Sequence, residues 1–276
     1  MQKKLRFALF GNEFQAKKAA STQKVIDTLS ALGGEVVVEP SCDENFHADF
    51  AISIGGDGTF LKTASIVGAK GIPIIGVNIG RLGFLADVRD DEIEQAFSAI
   101  YEGRYRIEEH AVISLTADGG PQDFIPHALN DIAVMKRDNA SMITIYACVD
   151  GDPLVTYQAD GLVVSTPTGS TAYNLSNGGP IMLSQTDVLC LTPIAPHSLS
   201  IRPIVVPNDC VIELEVESRS HNFLVAVDGR SATLDEQVRI RISKADHKVK
   251  IVKRESENFF STLREKMMWG KDVREK

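Results

Sequence analysis

The feature that most constrains this chain is an apolar run that breaks into glycine. Ala51-Ile52-Ser53-Ile54 stops at Gly55-Gly56-Asp57-Gly58-Thr59, and Phe60-Leu61-Lys62-Thr63-Ala64 then resumes with helical character. Strand, glycine turn and helix in that order open a βαβ unit and point to a parallel sheet. In such sheets ligands collect beyond the carboxyl ends of strands, where glycines let backbone N–H groups approach phosphate oxygens. Gly55, Gly56, Gly58 and Thr59 are therefore the expected phosphate-binding residues. Asp57 needs another task, because a carboxylate in a phosphate turn repels the phosphate. It could accept a proton from an attacking hydroxyl, hold a Mg²⁺ ion beside the phosphates, or only cap the helix that follows.

The surrounding hundred residues repeat the βα alternation. Strands are predicted at Leu5–Phe10, Glu35–Val38, Phe50–Ile54 and Ile72–Val77. Val25, Leu29 and Leu32 share one face of a helix that ends at Gly33-Gly34, and Ile93, Ala96, Phe97, Ile100 and Tyr101 recur at helical spacing before Gly103. Beyond about residue 104 the period changes to two. Ile212, Leu214 and Val216 interleave with glutamates, Val238, Ile240 and Ile242 with arginines, and Asp150-Gly151 and Asp228-Gly229 supply turns. Helical character returns from Glu257 to Trp269, where Phe259, Phe260, Leu263 and Met267 fall on one side and require a docking surface. The expected fold is α/β plus all-β. Residues 1–103 form a layered α/β domain with a parallel sheet, 104–256 form a β-rich, sandwich-like domain, and 257–276 return to the first domain.

Composition narrows the function classes. A net charge of −8 and a pI near 5.3 disfavour a broad basic surface for nucleic acid or anionic membrane, so any anion site is local. Cys42, Cys148, Cys190 and Cys210 are widely spaced and the six histidines form no His-Glu-x-x-His, so neither a disulfide framework nor a metal site is signalled. The first apolar run ends at Gly11, too early for a signal peptide, and no stretch has membrane-span length; the expected compartment is the cytoplasm.

A second motif runs from Asp160-Gly161 through Ser165-Thr166-Pro167-Thr168-Gly169-Ser170-Thr171-Ala172-Tyr173 to Gly179-Pro180. An apolar strand opens there into a polar loop whose hydroxyls and backbone groups suit ribose and phosphate, and whose Tyr173 offers a ring to stack on a base. By itself a Ser/Thr/Gly-rich run also reads as a solvated turn. Asn130-Asp131 interrupts the apolar stretch Leu129–Val134, a pattern that on spacing alone is an Asx-turn, and Arg81–Leu85 reads as a loop over a cleft or a simple connection. Neither Gly-x-x-x-x-Gly-Lys-[Ser/Thr] nor Gly-x-Gly-x-x-Gly occurs, so a nucleotide is held by other means.

Taken together these stretches resemble the NAD kinase family, over nearly the whole chain to Trp269-Gly270. The glycine–aspartate turn is shared with diacylglycerol kinases, sphingosine kinases and phosphofructokinases. The Asp160–Tyr173 stretch and Asn78–Leu85 are what point to NAD kinases. The resemblance implies phosphoryl transfer from ATP, or inorganic polyphosphate, to the adenosine ribose 2′-hydroxyl of NAD, with a divalent cation such as Mg²⁺. It implies that Asp57 is catalytic and that Asp57, Gly58, Asn130, Asp131, Asp160, Thr171, Ala172, Tyr173, Asn174, Leu175 and Ser176 bind NAD, with Gln158, Ala195 and Arg230 as further contributors. The family usually has Glu where Asp131 stands, and bacterial members commonly have Gln where Arg230 stands. A homodimer or homotetramer, with no nucleic-acid or membrane partner, is also implied. The competing readings are a lipid or sugar kinase with the same turn, and a catalytically silent NAD-binding regulator in which Asp57 is only a cap.

Overall fold

The computed structural model describes residues 4–11, 16–41, 43, 45–80, 83–118, 126–137, 141–255 and 258–270, without the side chains of 16–18. Cys42, Arg81, Leu82 and Glu257 lie outside the described residues. The chain divides into two compact units, Met1–Glu109 with Val249–Lys276, and His110–Lys248.

The first unit begins β1 (Arg6–Gly11), α1 (Ala16–Ala31), β2 (Glu35–Val38), β3 (Phe50–Ile54), α2 (Asp57–Val67), β4 (Ile74–Asn78), β5 (Val88–Arg89), α3 (Ile93–Tyr101). The strands pair in parallel in the order β2-β1-β3-β4, with β5 beside β4. All five residues of β3 are buried, as a parallel strand covered on both faces requires. Val25 and Leu29 of α1 and Ile93, Ala96, Phe97 and Ile100 of α3 close one core with Phe7, Ile52 and Val77. Gly33 and Gly103 follow the two helices with positive φ, the left-handed exit expected of helix ends. Two predicted strand starts shift: Arg6 replaces Leu5, and Ile74 replaces Ile72, whose successor Pro73 has no N–H for the ladder.

β6 (Tyr105–Ala117) carries the chain into the second unit. There follow β7 (His127–Ala128), β8 (Asp131–Lys136), β9 (Ile143–Val149), β10 (Asp152–Ala159), β11 (Gly161–Ser165), α4 (Tyr173–Ser176), β12 (Val188–Ile194) and β13 (Ile204–Pro207). Next come β14 (Ile212–Glu217), β15 (Asn222–Val227), β16 (Arg230–Asp235), β17 (Ile240–Arg254), whose last residues belong to the first unit, and finally α5 (Phe259–Met267). One antiparallel sheet runs β13-β12-β11-β8-β15-β16, and β10, β9, β14 and the start of β17 form a second antiparallel layer. Inward residues of both, among them Ile145, Tyr157, Leu214 and Ile240 against Val134, Val164, Leu191 and Val225, share one core, so the unit is a sandwich. Glu213, Glu215 and Glu217 stay exposed between buried Ile212, Leu214 and Val216. The hairpins β9–β10 and β15–β16 turn at Asp150-Gly151 and Asp228-Gly229, both residues of each pair having positive φ, the twist that two-residue hairpins favour.

The terminal helix is shorter and less buried than its spacing suggests. Asn258 caps it, its side chain accepting from the Ser261 N–H at 2.9 Å, and only Leu263 is buried. Phe260, Met267 and Trp269 stay exposed. α5 belongs to the first unit and docks through Phe259, whose ring lies 6.2 Å from that of Phe84, and through an Arg89–Glu265 ion pair at 2.7 Å. Spacing reveals which face a helix presents, not how deeply it sits. No helix among the described residues is long and apolar enough to cross a membrane.

Candidate functional site

Asp57 is the first residue of α2, yet its carboxylate does not cap that helix: the N-cap is Gly56, with no side-chain capping bond. The carboxylate turns to the loop after β4. Oδ2 accepts from the Phe84 N–H at 3.0 Å, and Oδ1 accepts from the N–H groups of Leu85 at 3.1 Å and Ala86 at 3.2 Å. The Lys266 ammonium of α5 donates to Oδ2 at 3.1 Å. Gly83 makes this approach possible, because a Cβ there would overlap the carboxylate. The loop is fixed in turn by Lys253 of β17, which donates to Asp87 at 2.5 Å and to the Phe84 carbonyl at 3.3 Å. Desolvation pushes the Asp57 carboxyl up. The Lys266 charge and the three backbone donors outweigh it and hold the group below its usual range.

The glycines of the turn are not equivalent. The Gly55 N–H donates to the Val77 carbonyl and the Thr59 N–H to the Gly56 carbonyl. Asp57 and Gly58 occupy the first two helical positions, whose N–H groups have no intrahelical acceptor, whereas the N–H groups of Gly55 and Thr59 are already engaged.

In the second unit a distinct cluster forms around Asn130 and Asp131. Asp228 of the β15–β16 turn accepts from the N–H groups of Leu129 at 2.8 Å, Asn130 at 2.8 Å and Asp131 at 3.2 Å. Thr166, past the end of β11, donates through Oγ1 to the Leu129 carbonyl and through its N–H to the Asn130 carbonyl. Gly169 packs onto that carbonyl so tightly that a Cβ would overlap it. Thus two stretches far apart in sequence, around Thr166–Gly169 and at Asp228, immobilise one short loop. Asn130 Oδ1 is buried and accepts no hydrogen bond among the described residues, an unmet acceptor of the kind that calls for an explanation. Asp131 is buried beside Asp228, and desolvation followed by that neighbouring charge pushes its carboxyl up to about 7. Burial raises the Asp228 carboxyl as well, opposed by the three N–H donors and by Arg230.

The remaining expected residues separate into three groups. Thr171, Ala172 and Leu175 are half-buried, while Tyr173 and Ser176 are exposed, the Tyr173 hydroxyl lying 3.9 Å from the Met135 sulfur. Asp160 lies at the other end of β11, paired with Lys136 at 2.7 Å; its N–H donates to the Ile194 carbonyl, and Ala195 follows with φ 45°. Gly161 pairs with Met135 and Ser165 with Asp131, so the Asp160 and Asp131 ends of this sheet stand about 16 Å apart at 3.3 Å per residue. That span suits an extended ligand. Asn174 and Gln158 are placed differently. Asn174 is fully buried, its amide donating to the Ser170 and Pro180 carbonyls and its oxygen accepting from Thr192 at 2.6 Å, so it holds the loop together. Gln158 is exposed and lines a recess with Thr144, Glu217 and Arg219.

Sequence reasoning missed Lys266, Gly83 and the anchoring role of Asp228. Asp228 was visible only as a turn former. It also missed the group His127, Asp246 and His247, whose ligand atoms lie within 4.8 Å of one another and could hold a metal ion. No spacing rule joins residue 127 to 246 and 247; strand packing does.

Comparison with known proteins accords with this geometry. The family description ATP-NAD kinase N-terminal domain matches residues 4–105, and ATP-NAD kinase C-terminal domain matches 129–254. The chain is 50% identical over 289 residues to an NAD kinase of Bacteroides fragilis, covering 98% of this chain and all of the relative. It is 41% identical to an NAD kinase of Porphyromonas gingivalis, covering 98% and 99%. Among solved structures, an NAD kinase from Archaeoglobus fulgidus in complex with ATP is 30% identical with a TM-score of 0.79, over 94% of this chain and 99% of that one. Yeast NADH kinase complexed with NADH shares the fold at a TM-score of 0.87 and 23% identity, over 99% and 90%.

Proposed function

The chain belongs to the ATP-NAD kinase family and phosphorylates NAD to NADP with ATP, and on that premise we propose that Asp57 is the base that receives the proton of the adenosine ribose 2′-hydroxyl. The observation that supports this is the Asp57 carboxylate itself, which leaves its helix uncapped and is held ionised by three backbone N–H groups and one ammonium. The hydroxyl oxygen attacks the terminal phosphorus of ATP and the bond from that phosphorus to the bridging oxygen breaks. ADP leaves, and the proton passes to Asp57 and then to solvent. A carboxylate below its usual pKa is a weak base, which suits a loose phosphoryl-transfer transition state in which positioning and charge stabilisation dominate. The N–H groups of Gly56, Asp57 and Gly58 at the start of α2 face phosphate oxygens in this reading.

Mg²⁺ accompanies ATP as the counter-ion of its phosphates. The Asp57 oxygens do not fit it, since both already face N–H donors and one a lysine charge, and a hard cation needs free oxygen ligands. NAD lies along the β8–β11 face of the second unit. Asn130 Oδ1 and Asp131 meet one end of it, Asp160 and Ala195 the other, and Thr171, Ala172, Tyr173, Leu175 and Ser176 line the length between, with Arg230 beside Asp228. The reaction takes place in the cytoplasmic nucleotide pool, and the enzyme works as a homodimer or homotetramer; exposed Ile204 and Val205 on the edge strand β13 support assembly, which light scattering on the eluting protein would read.

The test is Asp57→Asn with NAD, ATP and Mg²⁺, measuring both NADP formation and NAD binding. Turnover should fall by about 10²-fold to 10⁴-fold while NAD affinity stays within about threefold. Near-normal turnover would sink the base assignment.

A further inference from the structure

We propose that Lys266 of α5 is a further catalytic residue: it holds Asp57 in the resting enzyme and swings its ammonium from Asp57 to the oxygens of the migrating phosphoryl group when the ribose hydroxyl arrives. The inference deepens the reading of Asp57 as base and rests on it.

Acceptor capacity is the starting point. A carboxylate offers about four lone-pair positions. All four on Asp57 are taken: Leu85 and Ala86 on Oδ1, Phe84 and Lys266 on Oδ2. A hydroxyl that gives its proton to this group needs one of those positions. Three of the donors are backbone N–H groups in a loop pinned by the Lys253–Asp87 pair at 2.5 Å, and they cannot withdraw without unravelling the loop. Lys266 is the donor that can move. Its side chain is about a third exposed and reaches Asp57 by four rotatable bonds.

Where it goes follows from charge and distance. A hydroxyl docked on Oδ2 at about 2.7 Å would stand within about 5 Å of Nζ, and the phosphorus under attack about 3 to 3.5 Å beyond that oxygen. An ammonium displaced there faces phosphoryl oxygens that carry the charge of the transition state, the stabilisation that phosphoryl-transfer enzymes obtain from lysine, arginine or metal ions. The path is prepared by the ring of Phe84, over which Nζ sits 4.5 Å from the centroid, a position that favours a cation while leaving it free to slide. The same Phe84 gives its N–H to Asp57 and its ring to Phe259, and with the Arg89–Glu265 pair this fixes the register of α5 that brings Lys266 to this point.

The experiment compares Lys266→Met, Lys266→Arg and Lys266→Ala by steady-state kinetics, thermal unfolding and added methylammonium. Lys266→Met should lower kcat by about 10²-fold with both KM values within about threefold, and its melting temperature should stay close to wild type. Lys266→Arg should retain most of what Met loses, and methylammonium should raise the kcat of Lys266→Ala at least about tenfold towards the wild-type value. Wild-type kcat in Lys266→Met overturns the proposal. So does an equal loss in Met and Arg that methylammonium does not restore, which would make the residue a packing element. The two readings fail separately: an active Asp57→Asn enzyme refutes the base, whereas an inactive Asp57→Asn with a fully active Lys266→Met refutes only the lysine.

Discussion

Two aspartates, one in each unit, the first half-buried and the second buried, have their carboxyls shifted in opposite directions. Asp57 in the first unit faces three N–H groups and a lysine, which hold its carboxyl below the usual range. Asp131 in the second unit faces Asp228, and its carboxyl rises to about 7. Burial acts on both in the same direction; the partners decide the outcome. The first rests as an anion at neutral pH. The second passes between acid and anion near neutral pH, and so can either donate or accept a hydrogen bond. One residue type thus gives a carboxyl below its usual range in one place and one raised to about 7 in the other.

The contrast breaks most severely at Gly83. In Gly83→Ala the new methyl would occupy the space of the Asp57 carboxylate, turning it away from its donors. The expected loss in kcat is about 10²-fold or more, with circular dichroism and NAD binding close to wild type. Retained activity would show that the N–H cradle is dispensable. The next effect is at Asp228. Asp228→Asn keeps a residue that tolerates the left-handed turn but replaces one acceptor oxygen with a donor facing N–H groups. Steady-state kinetics should show KM for NAD raised about tenfold, a cost of about 1.4 kcal/mol, with kcat changed little. The reverse split, a fall in kcat at constant KM, would move the Asn130–Asp131 loop from binding to chemistry.

The smallest expected effect sharpens the contrast through pH. The folded-state pKa of Asp131 is raised, so its contribution to stability is complete below the unfolded value of 3.8 and is lost as pH rises through about 7. Asp131→Asn removes that loss. In thermal unfolding without ligand, the variant should melt several degrees above wild type at about pH 8, with the gap narrowing towards about pH 4. An equal gap at both pH values would mean that Asp131 does not titrate in this range.

What the sequence discloses and what it hides divide along physical lines. β2 and β3 fall at Glu35–Val38 and Phe50–Ile54 as read, because a short apolar run between polar or glycine breaks has few alternatives. The period-two run Ile212–Glu217 and the two Asp-Gly turns are local in the same sense. The sites are only partly local. Asp57 is marked by its own glycines, and Asn130-Asp131 by its interruption of an apolar stretch. The groups that set their properties are not: Lys266 lies 209 residues from Asp57, and Asp228 lies 97 from Asp131. Asn174 shows the converse, a polar residue within a polar loop whose side-chain donors and acceptor are all engaged inside the fold. Composition indicates that a loop is polar, not which of its polar atoms face outward.

The placement of Lys266 also has a meaning in time. A ribosome makes Asp57, the glycine turn and the loop of Gly83 early, then the whole of His110–Lys248, and only afterwards the helix that carries the lysine. A chain interrupted anywhere in that interval has the carboxylate without its ammonium. If Lys266 acts as proposed, such a fragment is held back from chemistry by the order of its own synthesis.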